Sequence, residues 1–343
     1  MMAAVSGLAQ DTFGSRCQFS HTNTRRVGYV MNVETFIEWI KRQGYRVVAT
    51  DSSYWYEIRP RVYQAIPFHD LIAPSETELD ELLGRERAIA LRYSTSREAG
   101  EGKLSYHVVN TDKDYDLARF SRSTRYDVRK GLKHAGVEPI SLSRLASEGW
   151  ALRQETLARQ GRSDAETEEW WQRLCTSAEG LPGFDAWGAV REGRLMASIL
   201  TVTLGDCCVG LYQQCCAEAL TTCVNNALTY SFTKEVLGRP SIAQVFYGLH
   251  SLDADERLDR FKFRMGYVAR PVRQRVVFHP WVRWLVNGVS YRALKTARVR
   301  WPQQSTLAKA EGMARFYLEG RRPLAQQMWP DCLRNQEAEL QSV

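Results

Sequence analysis

The clearest alternation of apolar and polar positions lies between Phe184 and His279. Three apolar runs, separated by turns rich in Gly and Asp, predict hairpin strands, because a period of two is typical of half-buried strands. The period then becomes helical, with Thr221 or Thr222 as the predicted N-cap and Gly238 as the predicted end. A strand, a second helix and a closing strand follow. The predicted order is three strands, helix, strand, helix, strand.

The first part of the chain repeats this order more weakly. A helix is predicted from Val33 to Lys41, and Ser75 with Glu78 predicts a capping box for a second helix that ends at Gly84. Extended runs are predicted over residues 45–50, 54–58, 87–93 and 104–110. We find no repeat of individual residues, so the duplication depends on the order of the elements.

A basic run from Arg119 to Ala135 predicts a helix with a strongly positive face. Only Asp127 opposes this charge, which favours contact of Arg122, Arg125 and Arg129 with an anionic substrate. The alternative is a solvated charged face, which is what most charge runs form.

Tryptophan and aliphatic residues alternate with arginine and lysine from Pro280 to Arg300. This basic amphipathic pattern suits peripheral contact of residues 281–300 with an anionic membrane surface. The interpretation that we favour is a helix packed across the two halves of the chain, with its arginines extending to water.

The composition sets only broad limits on function. The length of 343 residues suggests about two domains, and 46 Lys and Arg against 39 Asp and Glu give a formal net charge of +7. This mild excess suits an anionic ligand such as a CoA, a nucleotide-linked acceptor or a tRNA, and equally an ordinary basic enzyme. Because the sequence contains no apolar signal segment and no run of about 18 apolar residues, we expect a cytoplasmic protein.

The 8 cysteines include the pairs Cys207–Cys208 and Cys215–Cys216. Neighbours on a strand face opposite sides, so neither pair directs two thiols at one metal ion. No histidine follows at a zinc-like spacing. We therefore predict buried free thiols and no bound metal.

Three short motifs carry a resemblance to a known family. Phe261–Lys262, followed by Gly266, falls on the predicted last helix; Tyr247–Gly248 ends the strand before it; and the basic helix runs into Gly136–Val137. In order and spacing, residues 119–279 resemble the GNAT acyltransferase core, and in detail its FemABX branch and GNAT-like relatives.

The resemblance implies an α/β fold (mixed α+β) with two GNAT-like halves. Each half has a mixed, mostly antiparallel twisted sheet flanked by helices, and a helical C-terminal extension follows. We accordingly predict a disordered lead-in over residues 1–30, a degenerate N-terminal half over 31–140, the acyltransferase core over 141–280 and the extension over 281–343.

The resemblance also implies transfer of an acyl or aminoacyl group from acyl-CoA or aminoacyl-tRNA to an amine acceptor, either a small molecule or a nucleotide-linked compound. In a GNAT core the donor lies along the third strand, with its pyrophosphate on the N-terminus of the next helix. The donor would then contact Tyr212, Gln213, Gln214, Thr221, Thr222 and Asn225. The turn between them has no glycine and carries Glu218, which departs from the CoA-binding loop and disfavours CoA.

Amide formation requires a base for the amine and a stabiliser for the oxyanion. Lys262, which matches the family's Phe-Lys pair, is the predicted stabiliser, Tyr247 the predicted proton donor and His250 the predicted base. Asp253 is predicted to contact substrate or, more simply, to cap the next helix. For Lys262 the alternative is an ordinary helix-surface lysine.

Two other functions remain open at this point. A non-catalytic GNAT-fold module could bind an anionic nucleotide- or lipid-linked ligand, which the missing glycines of the phosphate turn favour. A peripheral membrane or nucleic-acid protein is supported only by the basic stretches, because no groove-entering motif occurs.

Overall fold

The computed structural model describes residues 24–161, 166–252, 257–301 and 304–336. The strands in these ranges are β1 (Val47–Ala49), β2 (Tyr54–Arg59), β3 (Val62–Ile66), β4 (Ala90–Thr95), β5 (Lys103–Asn110), β6 (Gly136–Ile140), β7 (Phe184–Arg191), β8 (Arg194–Leu204), β9 (Cys207–Cys215), β10 (Gln244–Leu249) and β11 (Val268–Phe278). The helices are α1 (Thr24–Arg42), α2 (Glu76–Arg85), α3 (Arg122–His134), α4 (Leu142–Arg159), α5 (Glu168–Thr176), α6 (Ala217–Thr221), α7 (Val224–Gly238), α8 (Arg257–Arg264), α9 (Pro280–Arg283), α10 (Gly288–Arg300) and α11 (Ser305–Gly320). Short 3-10 helices cover Leu117–Arg119, Leu324–Gln326 and Asp331–Gln336.

The strands form one continuous sheet in the order β1-β2-β3-β4-β11-β5-β10-β9-β8-β7-β6. This mixed, mostly antiparallel sheet, flanked by helices, confirms the predicted fold class. Strands are exchanged between the halves, because β11 lies between β4 and β5, and β5 also pairs with β10. The exchange joins the two halves. The boundary between residues 140 and 141 stays a prediction.

The two halves share one local layout. In the N-terminal half, antiparallel β1, β2 and β3 lead through α2 to β4, which pairs parallel with β3. In the C-terminal half, antiparallel β7, β8 and β9 lead through α6 and α7 to β10, which pairs parallel with β9. The predicted repeat of elements is therefore confirmed, although β3 was not predicted as a strand.

Helices cover both faces of the C-terminal part of the sheet. Phe36 of α1 belongs to the same apolar cluster as Val209, whereas Val128 of α3 and Leu228 of α7 belong to another cluster with Cys208. Because Cys208 and Val209 are neighbours on β9, their side chains face opposite sides of the sheet. The α1 face and the α7 face are thus distinct surfaces.

Two predicted caps differ from the structure. Ser75 accepts a hydrogen bond from the Glu78 amide and caps α2, but the Glu78 carboxylate accepts from Ser52 instead of closing the predicted capping box. The prediction that Thr221 or Thr222 caps α7 is wrong. Both hydroxyls donate to the Glu218 carbonyl, and Cys223 occupies the N-cap without a side-chain hydrogen bond. The second predicted box, which begins at Asp253, lies outside the described residues.

The C-terminal extension consists of α9, α10 and α11, with α11 packed against β11 and β5. The favoured interpretation, in which residues 281–300 pack across the two halves, is wrong for the aromatic residues. Trp281 is 79% exposed and Trp284 is 70% exposed, so these rings lie on the surface. Within the described residues, no helix is both long and apolar enough to cross a membrane.

Candidate active site

The parallel strands β9 and β10 separate after three paired residues. Their ladder ends at Val209 and Phe246, although both strands continue. Each strand is irregular just beyond this point: the register of β9 against β8 shifts around Leu211, and that of β10 against β5 shifts around Tyr247. Bulges bend strands and increase their twist. Gly248 permits the bend in β10. Its φ is +142°, a backbone conformation that is strained for any residue with a Cβ but open to glycine.

The gap opens into a cavity of about 630 Å³ on the α1 face. Its walls come from both halves of the chain and from α11, and they include Tyr56, Arg92, Tyr212, Tyr247 and His250. A volume of several hundred Å³ is typical of small-molecule sites. The predicted separation of the strands near Tyr212 and Phe246 is therefore confirmed.

Tyr212 forms part of the aromatic wall of this cavity. Its ring makes edge contacts with Trp170 and Trp171 of α5, and the Arg153 guanidinium lies 5.3 Å from the ring centroid. Burial raises the pKa of the Tyr212 phenol. Tyr212 can therefore contact a ligand in the cavity as a neutral phenol, but it faces away from α7.

Tyr247 and Gln213 meet on the opposite face, beside α7. The Tyr247 hydroxyl donates to Gln213 Oε1, and Gln213 Nε2 donates to Asn225 Oδ1 at 2.7 Å and to Thr229 Oγ1 at 2.9 Å. Burial raises the pKa of Tyr247, so the phenol keeps its proton near neutrality. The structure thus brings together Tyr247, Gln213 and Asn225 from the predicted set.

Lys262 of α8 reaches the bend in β10. Its Nζ lies 5.1 Å from the Tyr247 ring centroid and 3.9 Å from the position that a Cβ on Gly248 would occupy. It does not line the cavity itself, but it lies next to two residues that do. A cationic group at the end of the gap can stabilise negative charge on a carbonyl oxygen that enters from the cavity.

Sequence reasoning missed the residue that positions Lys262. Asp259, one helical turn earlier, accepts from Lys262 Nζ at 2.8 Å and from the Tyr106 hydroxyl at 2.8 Å. Asp259 is 6% exposed, so the pair is largely withdrawn from water. The i, i+3 spacing of an acid and a lysine on a predicted helix was the available signal. Nothing in the sequence indicates that Tyr106, from the other half, would complete the contact.

His250 is buried next to Tyr106, the residue that contacts Asp259. Its ring stacks on Tyr106 with a centroid distance of 4.5 Å, and Nδ1 lies 3.1 Å from Ser105 Oγ. Burial lowers its pKa to about 3, with a smaller contribution from the Arg315 charge. An efficient general base has a pKa near the working pH. The neutral imidazole is therefore a weak base, and its geometry suits support of Tyr106.

The turn before α7 lacks the features of a phosphate site. Glu218 pairs with Arg191 at 3.0 Å and Arg194 at 3.2 Å. Gln214 is buried and donates to Ser198, which places it away from the turn. Helix α3 crosses close to the N-terminus of α7, where a Cβ at Gly131 would collide with the Cys223 carbonyl. Of the six predicted donor contacts, Gln213 and Asn225 therefore meet beside α7, and Tyr212 lies on the opposite face of the sheet. Gln214, Thr221 and Thr222 lie outside both places.

The predicted basic helix is α3, and its three arginines differ in role. Arg122 and Arg129 are exposed. The Arg125 guanidinium instead donates to the carbonyls of Ala118 and Phe120, which stabilises the preceding turn. Arg122 and Arg129 are thus available to an external anion, whereas Arg125 is structural. Asp253, the remaining predicted substrate contact, lies outside the described residues.

The cysteines beside the site are unreactive. Cys208 and Cys215 are buried free thiols, as predicted, and burial raises their pKa to about 12 and about 11. A thiol is nucleophilic only as the thiolate. Neither residue is therefore a candidate nucleophile near neutral pH.

Comparison with known proteins places the fold. No family model and no curated protein matches the sequence. Among solved structures, the chain is similar to FemX, with a TM-score of 0.51 and 12% identity over 76% of this chain and 98% of FemX. A conserved protein of unknown function from Bacteroides thetaiotaomicron gives a TM-score of 0.50 and 12% identity over 73% of this chain and 90% of that chain. The fold is similar to that of FemX, as the motifs predicted.

Proposed function

We propose that the chain is an N-acyltransferase that joins an activated acyl group to an amine. The observation that carries this proposal is the gap between β9 and β10, which opens into the cavity and ends at Tyr247 and Lys262. Strand separation exposes backbone N–H and C=O groups that can pair with an extended donor. A donor in the gap would present its carbonyl carbon to an amine bound in the cavity.

The residues at the bend supply the chemistry of acyl transfer. The amine attacks the carbonyl carbon, a C–N bond forms, and the oxyanion is stabilised by Lys262, which Asp259 and Tyr106 hold in place. The bond to the leaving oxygen or sulfur then breaks, and that atom takes the proton of Tyr247. The attacking nitrogen returns its own proton to Tyr247. His250 has no step in this scheme, because its pKa is too low for an efficient base.

The donor that fits the turn before α7 is an aminoacyl-tRNA. A pyrophosphate bound at a helix N-terminus needs open backbone amides, but here α3 crosses the start of α7 at Gly131 and Cys223. The exposed arginines of α3, Arg122 and Arg129, offer contacts to a phosphate backbone instead. Asp127 of α3 also pairs with Arg264 of α8 at 2.7 Å, so α3 and the helix that carries Lys262 are neighbours.

Binding and turnover assays separate the donor classes. The purified protein is titrated with charged tRNA, with uncharged tRNA and with acetyl-CoA, and ligands retained through purification are identified by mass spectrometry. We expect binding of charged tRNA and an amide product from a panel of amines. Tight binding of CoA alone would contradict the proposed donor.

A non-catalytic binding module is the second candidate, and one observation favours it. Tyr247, Gln213 and Asn225 already satisfy one another by hydrogen bonds, as in a site that needs no substrate. This second function would be supported if the protein bound a donor but formed no product from it, and if Lys262→Ala bound the donor with unchanged affinity.

A further inference from the structure

A second surface, separate from the gap, lies on the C-terminal extension. It consists of the exposed side chains of α9, α10 and the adjoining residues: Trp281, Trp284, Leu285, Val289, Val299 and Trp301, interspersed with Arg283, Arg292, Lys295 and Arg300. We call it the α9–α10 surface. Large apolar side chains exposed together usually mark an interaction site.

The exposed side chains of α10 share one side of the helix. At about 100° per residue, Val289, Ala293 and Arg300 point the same way, with Arg292 and Val299 beside them. Tyr291 and Leu294 lie on the side that faces α11, and both are partly buried. The helix is therefore docked on the protein by one face and presents a mixed apolar and basic face outward.

The segment that forms this surface carries charges of one sign, and Glu311 of α11, which pairs with Arg298 of α10, is buried. From Arg260 to Ala310 the sequence contains no Asp or Glu. Tryptophan combined with arginine and lysine on one exposed helix face is the pattern of helices that lie in the interface of an anionic bilayer. A second copy of the chain would bring arginine against arginine across a two-fold axis, which is unfavourable.

We propose that the α9–α10 surface docks on a bilayer that contains anionic phospholipid. The tryptophans insert at headgroup depth and the basic side chains contact lipid phosphates. The surface also adjoins the candidate active site, because α10 packs on α11, and Lys309 and Met313 of α11 line the cavity. Docking would therefore hold the acyl-transfer site beside the membrane surface, although the binding itself does not depend on the proposed activity.

Vesicle co-sedimentation tests this proposal with the full chain. We expect binding to phosphatidylglycerol–phosphatidylcholine vesicles, little binding to phosphatidylcholine alone, and release by salt. Trp281→Ala with Trp284→Ala should weaken binding on the order of tenfold per ring. Arg292→Ala with Arg300→Ala should weaken it about fivefold per charge. All four side chains are exposed, so these variants should remain folded.

The matched control is Arg122→Ala with Arg129→Ala, which removes two exposed charges from α3. These changes should leave vesicle binding within about twofold, because they lie outside the surface. Equal losses in control and test variants would mean diffuse charge attraction and would overturn the proposal. Absence of binding to anionic vesicles would also overturn the proposal. A dimer that is seen in sedimentation velocity and that Trp281→Ala dissociates would overturn it as well.

Discussion

The two parallel strand pairs of the sheet begin alike and end differently. In the N-terminal half, β3 and β4 pair over three residues up to Gln64 and Arg92. In the C-terminal half, β9 and β10 pair over three residues up to Val209 and Phe246. A tyrosine follows the last pair in each case, Tyr93 in β4 and Tyr247 in β10.

The difference lies in what happens after that tyrosine. β4 continues without irregularity beside β11, and the Ile72 amide donates to the Ser94 carbonyl, so the chain itself occupies the space beside β4. β10 instead bends at Tyr247 and Gly248. Beyond this bend, the space between β10 and β9 opens into the cavity. A candidate active site thus requires a bulge and a glycine in addition to the shared order of elements.

The largest expected effect comes from Lys262→Ala. Removing one oxyanion stabiliser costs about 10²–10³ in kcat. The melting temperature should also fall, because the change leaves the buried Asp259 carboxylate with the Tyr106 hydroxyl but without its charge partner. Initial rates and thermal melts measure the two effects.

Arg260→Ala is the matched control for this change. Arg260 is exposed on the same helix, so its loss should leave kcat within about twofold. If Lys262→Ala retained full turnover, the lysine would have no catalytic role. The bend in β10 would then not mark a catalytic site that the N-terminal half lacks.

The equivalent tyrosines give the most direct comparison of the halves. Tyr247→Phe should lower kcat about 10–10²-fold, because the leaving atom loses its proton donor. Tyr93→Phe should leave kcat unchanged and cost about 1 kcal/mol of stability, because Arg275 Nη1 loses the hydroxyl acceptor at 2.9 Å. Steady-state kinetics and urea unfolding separate these outcomes. Equal kinetic losses in the two variants would place the chemistry elsewhere.

The basic helix α3 offers a smaller effect. Arg122→Glu with Arg129→Glu should weaken binding of charged tRNA by about tenfold and reduce the slope of log affinity against log salt by about 1–2. Filter binding at several salt concentrations measures both quantities. An unchanged slope would remove α3 from the donor site. Arg125→Glu, by contrast, should mainly lower stability, because Arg125 holds two backbone carbonyls.

The sequence predicted the order of elements well, because period-two and helical patterns arise from burial within each element. It also named Gln213 of β9, Tyr247 of β10 and Lys262 of α8, which the structure brings close together at the gap. It could not locate Tyr106, since this residue reaches Asp259 only through the exchange of strands between halves. The surroundings of His250 were unpredictable for the same reason, because its burial and low pKa depend on the packing of Tyr106 and Phe316 around it. Its role as the base stays a prediction.

Two buried histidines, one from each half, give the smallest effect and test the assignment of His250. Burial lowers the pKa of both His250 and His107 from the ordinary 6.5 to about 3. Both are neutral in the folded state, so between pH 6.5 and 3 the unfolded state binds more protons and stability falls as pH falls. Each should cost about 1 kcal/mol between pH 6.5 and 5.5.

Urea unfolding against pH should therefore become less acid-sensitive in His250→Gln and in His107→Gln, by similar amounts. If His250 is structural, His250→Gln should also leave the shape of the pH–rate profile unchanged even where kcat falls. Loss of an inflection near neutral pH in that variant alone would restore His250 as the base.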